Sequence, residues 1–515
     1  MMQNSNKQIA FGTIMSYLSI VISCVGAIVV TPFIVKCLGD SSYGVYRIIV
    51  SLIAYMSILN FGFGSSAVRY ISEFRVKNQK EKEGEFLTII KYMNFFAICI
   101  CVIVGVIIYS FIGDIFSSSL TLEEIDLAKE LFKILIIGVI VSVVNDIYAS
   151  IINAYEQFIF VKSIDVIRNI LKIVLVFMIL SFNSSAVFLT MIDLALNVFV
   201  LLSNMYYVRF KLKIVIAFRL PNLKTIDFKF YKEVFVFASL VLLNIIINQL
   251  IWNTDSIIIG MRLDSVSAAI YGVGATISSM FYNMSLVIGN LLMPKTVFMV
   301  KSGATKSELT DYMIKVARIQ AFIIFFIVSA YFVMGKQFVQ LWMGNSYLDA
   351  WISSLLVMIG SVFASLLVSG HTILKAMNKQ NFFMGTYFII FLLNAVITYA
   401  LVVHTGIIGA AAVTMVTFVG GTIFILIPYY HISIKLNMKK FISSMCRDIL
   451  PATLVVAFVM WKFYQYVDIS SWVKFFVMAA VYTVVYYLVI YFCGTTRKEK
   501  DIIQSIIIRL GGRKK

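Results

Sequence analysis

Charge is scarce in this 515-residue chain. Asp, Glu, Lys and Arg together make up 13% of it, against roughly 25% in soluble domains. Apolar residues make up 61%. Too little polar surface is available to cover a globule of this size, which excludes a soluble domain. Proline is scarce as well, with five residues and no cluster, so no Pro-rich linker divides the chain. The three histidines, His371, His404 and His431, are too far apart for a metal-ligand spacing. The cysteines at 24, 37, 99, 101, 446 and 493 lie in or near apolar runs and read as small buried apolar residues. No metal and no cofactor is expected. The pattern G-x-x-x-x-G-K-[ST] is absent, so nothing points to ATP hydrolysis in this chain. The run from Gly62 to Ala67 matches G-x-G-x-x-A but ends an apolar helix, which excludes a dinucleotide site. No Ser-His-Asp or Cys-His arrangement can be argued, and the chain is not expected to be an enzyme.

What is present is apolar sequence in runs of about twenty, the length that spans a bilayer as helix. The expected architecture is an all-α polytopic membrane protein of about fourteen spans. They cover 10–35, 43–66, 87–112, 127–149, 167–182, 186–208, 234–259, 266–293, 312–334, 350–370, 382–403, 406–430, 448–466 and 472–492. The first run is too long for a signal peptide and is read as an uncleaved span. Assigning connections to alternate sides puts most of the 43 lysines and arginines on one side. Positive-inside logic makes that side, with both termini, cytoplasmic. The net charge of +18 then reads as topology and contact with anionic lipids, not as nucleic-acid binding.

Two stretches recur. "SIINAYEQFIF" after span four is echoed by "HTILKAMNKQNFF" after span ten, with Ala154 matching Ala376. Asp40 with Tyr43-Gly44-Val45 is echoed by Asp264 with Tyr271-Gly272-Val273. These echoes predict two six-span copies, parallel because six is even. The expected domains are an N-lobe over 1–208, a basic connection over 209–233, a C-lobe over 234–431, and an extra pair of spans with a basic tail over 432–515.

Polar stripes mark candidate cavity walls. Asn244, Asn248, Asp255 and Arg262 share one sector of span seven at 100° per residue. Thr190, Asp193, Asn197 and Asn204 do so in span six, and Ser142, Asp146, Ser150 and Asn153 in span four. Span eight carries Tyr271, Ser278, Tyr282 and Ser285, and span ten carries Ser354, Ser361, Ser365, Ser369 and Thr372. Packing explains most Ser, Thr and Asn inside membrane helices. Acids such as Asp146, Asp193 and Asp255 usually face a partner or a wet cavity. Arg168, Lys172 and Lys91 are expected to snorkel to the headgroups. Arg47, inside span two, has three readings: snorkelling, contact with an anionic substrate, or a gate with Asp255.

The stretches "PFIVKCLGDSSYGVYRIIVSL", "NTDSIIIGMRLDSVSAAIYGVGATIS" and "GIIGAAAVTMV" resemble the bacterial polysaccharide flippases, often called Wzx-type. Their superfamily also holds the multidrug and toxin extruders and the lipid II flippase. The resemblance runs over essentially the whole chain. It implies a MATE-like fold that moves undecaprenyl-diphosphate-linked oligosaccharide units from the inner to the outer leaflet by alternating access, for O-antigen or capsule synthesis. It implies a cationic cavity, for which Arg47, Lys91, Asp146, Asp193, Asn197, Asn244, Asn248, Asp255, Arg262 and Tyr282 are the candidate lining residues. Polysaccharide polymerase machinery is an implied partner. Two other readings stay open: a multidrug-type cation antiporter on the same fold, and a membrane-embedded polymerase or ligase, against which the short outer loops argue.

Overall fold

The computed structural model describes residues 2–214, 228–467, 469–497 and 499–501. Most of the basic connection 209–233 and the end of the basic tail lie outside the described residues. Within them the regular structure is helical throughout. The chain divides into two compact units, Met1–Gly272 with Thr398–His404, and Val273–Ile397 with Thr405–Lys515.

The first unit contains α1 (Met2–Leu38), α2 (Asp40–Met56), α3 (Phe63–Val76), α4 (Lys80–Phe116), α5 (Leu122–Ala154), α6 (Phe158–Phe182), α7 (Ala186–Tyr206), α8 (Phe228–Trp252) and α9 (Thr254–Arg262), with the first turns of α10 (Ser265–Lys301). The second unit holds the rest of α10, then α11 (Lys306–Met343), α12 (Leu348–Leu366), α13 (Val368–Ala376), most of α14 (Gln380–Gly420), α15 (Ile427–Ile432), α16 (Met438–Cys446), α17 (Ile449–Tyr464) and α18 (Trp472–Val489).

Local chemistry sets the boundaries. Thr121 and Glu124 form a capping box that starts α5, and Thr305 and Glu308 form one that starts α11. Between α2 and α3 the chain passes through a 3₁₀ turn and two left-handed residues, Phe61 (φ 50°) and Gly62 (φ 67°). A Cβ at Gly62 would lie 2.8 Å from Val241 and 3.0 Å from the Ala238 carbonyl oxygen, so glycine here lets the α8 backbone come close. At the Ala154 end of this unit, Tyr70, Phe74, Phe86 and Phe230 form a four-ring cluster with centroids 5.1–5.9 Å apart.

Eleven described segments are long and apolar enough to cross a membrane. Helices α6 and α10 stand outside that group, and Gly406 (φ 64°, ψ −162°) divides the segment Gln380–Ile432 in two. Adding these is compatible with fourteen spans. Two expectations need correction. Span five, expected over 167–182, starts nine residues earlier at Phe158; Lys162, Asp165, Arg168 and Lys172 interrupt its apolar run and hide its first half. Span seven is not one straight helix. It breaks at Asn253 (φ −121°, ψ −21°), where Asn253 Nδ2 donates to Gln249 Oε1 (2.6 Å) and Gln249 Nε2 to Ser57 Oγ (2.9 Å).

The two halves share turns, not only sequence echoes. After Ala154 the chain makes two reverse bonds, Glu156 N to Asn153 O (2.9 Å) and Gln157 N to Ile152 O (3.1 Å), around a left-handed Glu156 (φ 57°). After Ala376, Asn378 N bonds Lys375 O (3.1 Å) and Lys379 N bonds Leu374 O (2.9 Å), around Asn378 (φ 56°). The same design joins α3 to α4 at Asn78 (φ 53°) and α10 to α11 at Gly303 (φ 77°). A wider version closes α7 and α15, with Lys213 (φ 55°) and Lys435 (φ 63°) at corresponding places. Lys213 and Lys435 are as far apart in sequence as Glu156 and Asn378, which is the signature of duplication.

Candidate functional site

The first unit has two ends. At one, Ser72 and Arg75 donate to the Ala154 carbonyl. At the other, Glu124 accepts from Ser41 and from Ser265. Counting about 1.5 Å per helical residue from the Glu124 end, Arg47 on α2 and Asp193 on α7 each lie about 10 Å down, and Lys172 on α6 about 15 Å. Three charges therefore lie within about one helical turn of each other in depth, well inside apolar helices.

The contacts confirm that placement. Lys172 Nζ lies 2.6 Å from Asp193 Oδ1, and Tyr46 OH donates to Asp193 Oδ2 (3.3 Å). One turn down each helix, Arg168 Nη2 donates to Asn197 Oδ1 (3.0 Å). Arg168 and Lys172 thus turn onto α7 and do not reach for headgroups. The physical reason is depth: with α6 starting at Phe158, Lys172 sits fourteen residues, about 21 Å, from the Ala154 end, beyond the reach of its side chain.

Arg47 has different surroundings. Its stem crosses Gly272, where a Cβ would lie 2.6 Å from Arg47 Nε and 3.0 Å from Cγ. Nε is buried with no hydrogen-bond partner among the described residues, while the side chain as a whole is only half-buried. Tyr43 and Tyr46, buried on the same helix, stack with ring centroids 6.3 Å apart. An arginine is a fork of five donors with no acceptor, so a buried, unanswered Nε is costly unless something else supplies the oxygen.

The remaining candidates scatter. Asp146 on α5 accepts from Asn60 Nδ2 (2.9 Å). Asn248 on α8 is exposed and donates to Asn244 Oδ1 (3.0 Å). Asp255, beyond the break at Asn253, is buried and accepts from Tyr271 OH (2.6 Å). Arg262 ends α9 with its guanidinium 4.7 Å from the Tyr399 ring centroid. The break removes Asp255 and Arg262 from the face shared by Asn244 and Asn248. Lys91 is half-buried on α4, 6.0 Å from the Tyr92 ring centroid. Tyr282 is half-buried on α10 in the second unit. The α12 serines pack: Ser354 Oγ meets Tyr331 OH at 2.7 Å, and Ser361 donates to Met358 O (2.9 Å). No group of three His, Cys, Asp or Glu able to hold a metal lies among the described residues.

Sequence reasoning missed Arg168 and Lys172 as interior cations. The signal was there: Arg168 and Lys172 are four apart on one helix, Asp193 and Asn197 four apart on the next, and an antiparallel register pairs them.

A family model described as "Polysaccharide biosynthesis protein" matches residues 9–294, more than half of the chain. No curated protein matches the chain in sequence. Among solved structures, the fold is similar to the lipid II flippase MurJ in an inward closed conformation (TM-score 0.73, 17% identity, 96% of this chain and 100% of that one). It is similar to an inward-facing multidrug resistance MATE family transporter of the MOP superfamily (TM-score 0.61, 14% identity, 82% and 99%). A MOP superfamily transporter from Pyrococcus furiosus Vc1 also matches (TM-score 0.54, 15% identity, 82% and 94%). At these identities the likeness is one of fold.

Proposed function

The chain belongs to the polysaccharide biosynthesis protein family, and from that premise we propose that it is a flippase for undecaprenyl-diphosphate-linked oligosaccharide units, carrying them from the inner to the outer leaflet by alternating access. On this reading it is a multi-pass protein of the bacterial cytoplasmic membrane. Its basic connections and both termini are cytoplasmic, and the Glu124 end of the first unit faces outward. The two repeats are the lobes that rock. Anionic lipids meet the basic side, and polymerase machinery receives the product for O-antigen or capsule synthesis.

The observation that carries the reading is Arg47. A diphosphate cannot cross hydrocarbon unaided, since one charge there costs several kcal/mol. A planar fork with an unanswered buried donor suits a phosphate oxygen. The polyprenyl tail stays in lipid. The second unit offers apolar surface for such a chain in a cleft of about 630 Å³ lined by Phe325, Phe332, Phe363, Phe441, Phe458 and Trp461. Moving about two negative charges outward across an inside-negative 100 mV releases roughly 4–5 kcal/mol at about 2.3 per charge, enough to drive export without ATP.

Deleting the protein should remove surface glycan and leave the lipid-linked unit on the inner leaflet. Arg47→Ala should reproduce both effects at normal abundance. Intact surface glycan in the deletion strain would reject the reading. The cation-antiporter alternative wants an available acid, whereas Asp146 and Asp193 meet Asn60 and Lys172 within their own unit. Export of cationic dyes lost on deletion would favour it.

A further inference from the structure

At the Glu124 end of the first unit, three chain segments meet on one carboxylate. Glu124 is the third residue of α5, and its Oε2 accepts from Thr121 N (2.8 Å) and Thr121 Oγ1 (3.1 Å). A capping box needs no more than this. The box at Thr305 and Glu308 has the same bonds. At Glu124, Oε1 takes two further donors, Ser41 Oγ at the start of α2 (2.5 Å) and Ser265 Oγ at the start of α10 (2.5 Å). Beside them, Ser119 Oγ donates to Gly260 O (2.5 Å) and Ser118 Oγ to Met261 O (3.3 Å), which ties the α4–α5 connection to the end of α9.

Behind these bonds the Gly44 and Ser265 backbones nearly touch, and the Ile48 side chain lies on Gly260. A Cβ at Gly44 would lie 1.8 Å from the Ser265 carbonyl oxygen, and one at Gly260 would lie 2.6 Å from Ile48. Gly272, where the Arg47 stem crosses, is the third member of this seam. Gly44 and Gly272 are the central residues of the two Tyr-Gly-Val repeats, so both copies of that motif serve one contact. Hydroxyl donors on a carboxylate can be exchanged for water when the segments part, and at each of these contacts the glycine contributes no side chain, so Ile48 and Arg47 rest on bare backbone and do not interdigitate with an opposing side chain there. The seam can therefore close and reopen.

We propose that Glu124 is the centre of a releasable latch. With Ser41, Ser265, Ser118 and Ser119 it holds the start of α10 and the end of α9 against α2 and α5, and its release opens a route from Arg47 to that face. The proposal rests on the transport reading above for its consequence, but the latch itself is testable without it.

The test uses the full chain with Cys24, Cys37, Cys99, Cys101, Cys446 and Cys493 replaced by Ala. Ser41→Cys with Ser265→Cys should cross-link on mild oxidation, since both hydroxyls touch one oxygen. Surface glycan should fall at least tenfold and return on reduction. A cross-linked protein that exports at the reduced rate overturns the latch and leaves the flippase reading standing. The second arm does not depend on the cargo. In the same background, Arg47→Cys should react poorly with a membrane-impermeant maleimide added outside, and at least fivefold faster once Glu124→Ala or Gly44→Val is added. Unchanged labelling in both overturns the latch. Raised labelling with surface glycan indifferent to the protein's deletion upholds the latch and rejects the flippase reading. Ser265→Ala, which removes one donor and little volume, replaces Gly44→Val if that protein fails to accumulate.

Discussion

Arg318 and Arg47, one in each unit, are treated in opposite ways. Arg318 on α11 is 5% exposed and fully answered. Nε donates to Glu499 Oε1 (2.7 Å), Nη2 to Glu499 Oε2 (2.9 Å) and to Gly494 O (2.9 Å), and Nη1 to Ser444 O (2.6 Å), with Asp448 3.5 Å away. It clamps α11 to the end of α16 and to the segment after α18. Arg47 is half-buried, and its buried Nε has no hydrogen-bond partner among the described residues. A cation that folding has saturated holds structure together. A cation whose donors are left over is available to something that arrives later. Lys172, paired with Asp193 but still partly exposed, stands between the two.

The comparison breaks first at Arg318. Arg318→Ala leaves Glu499 without its fork, and loss of one partner of a buried pair costs about 3–5 kcal/mol. We expect a large drop in thermal midpoint in detergent and in cellular abundance, and Arg318→Lys should rescue little because an ammonium cannot hold both carboxylate oxygens. An unchanged midpoint would remove Arg318 from its structural role. Arg47→Ala should do the reverse, with surface glycan down at least tenfold and the midpoint held within a degree or two. Arg47→Lys should recover part of the export, whereas full recovery would return Arg47 to simple snorkelling. A smaller effect is expected at the intermediate pair. Asp193→Asn and Lys172→Met should couple by about 1 kcal/mol in a double-mutant cycle, discounted from a buried pair because Lys172 is exposed in part; additive effects would mean the pair is incidental. The smallest effect is one of pH. Burial pushes the Glu499 carboxyl up, but Arg318 and Thr496 outweigh it and hold the group below its ordinary value. Its contribution is present above the unfolded glutamate pKa and fades as pH falls through the lowered folded value. Glu499→Gln should therefore flatten the acid limb of the stability curve, and an identical limb in both proteins would contradict the assignment.

The helices, the apolar class and the duplication were legible because each leaves a periodic trace. Ala154 and Ala376, aligned on a few matching letters, both prove to be the last residue of a helix before the same turn. Span five was misread because four charged residues sit inside it, and hydropathy cannot see that α7 supplies Asp193 and Asn197 to receive two of them. The span-seven stripe assumed one straight helix, and side-chain bonds at Gln249 and Asn253 mark where that fails. Arg47 was legible as an anomaly, but that Gly272 makes room for it lies beyond any local pattern. Glu124 was not singled out, since its two extra donors, Ser41 and Ser265, come from residues far away in sequence.

Gly406 joins two apolar stretches through a single residue with φ 64° and ψ −162°, a conformation open essentially to glycine alone. No polar loop separates them, so the insertion machinery meets one long hydrophobic segment, Gln380–Ile432, in place of two spans with a hydrophilic stop between. The pair then has to partition into the bilayer together as a helical hairpin, with its fold decided at one α-carbon. A bulky residue at 406 would straighten the hairpin during biogenesis, and glycosylation or protease tags placed at Ser433 would report on the wrong side of the membrane.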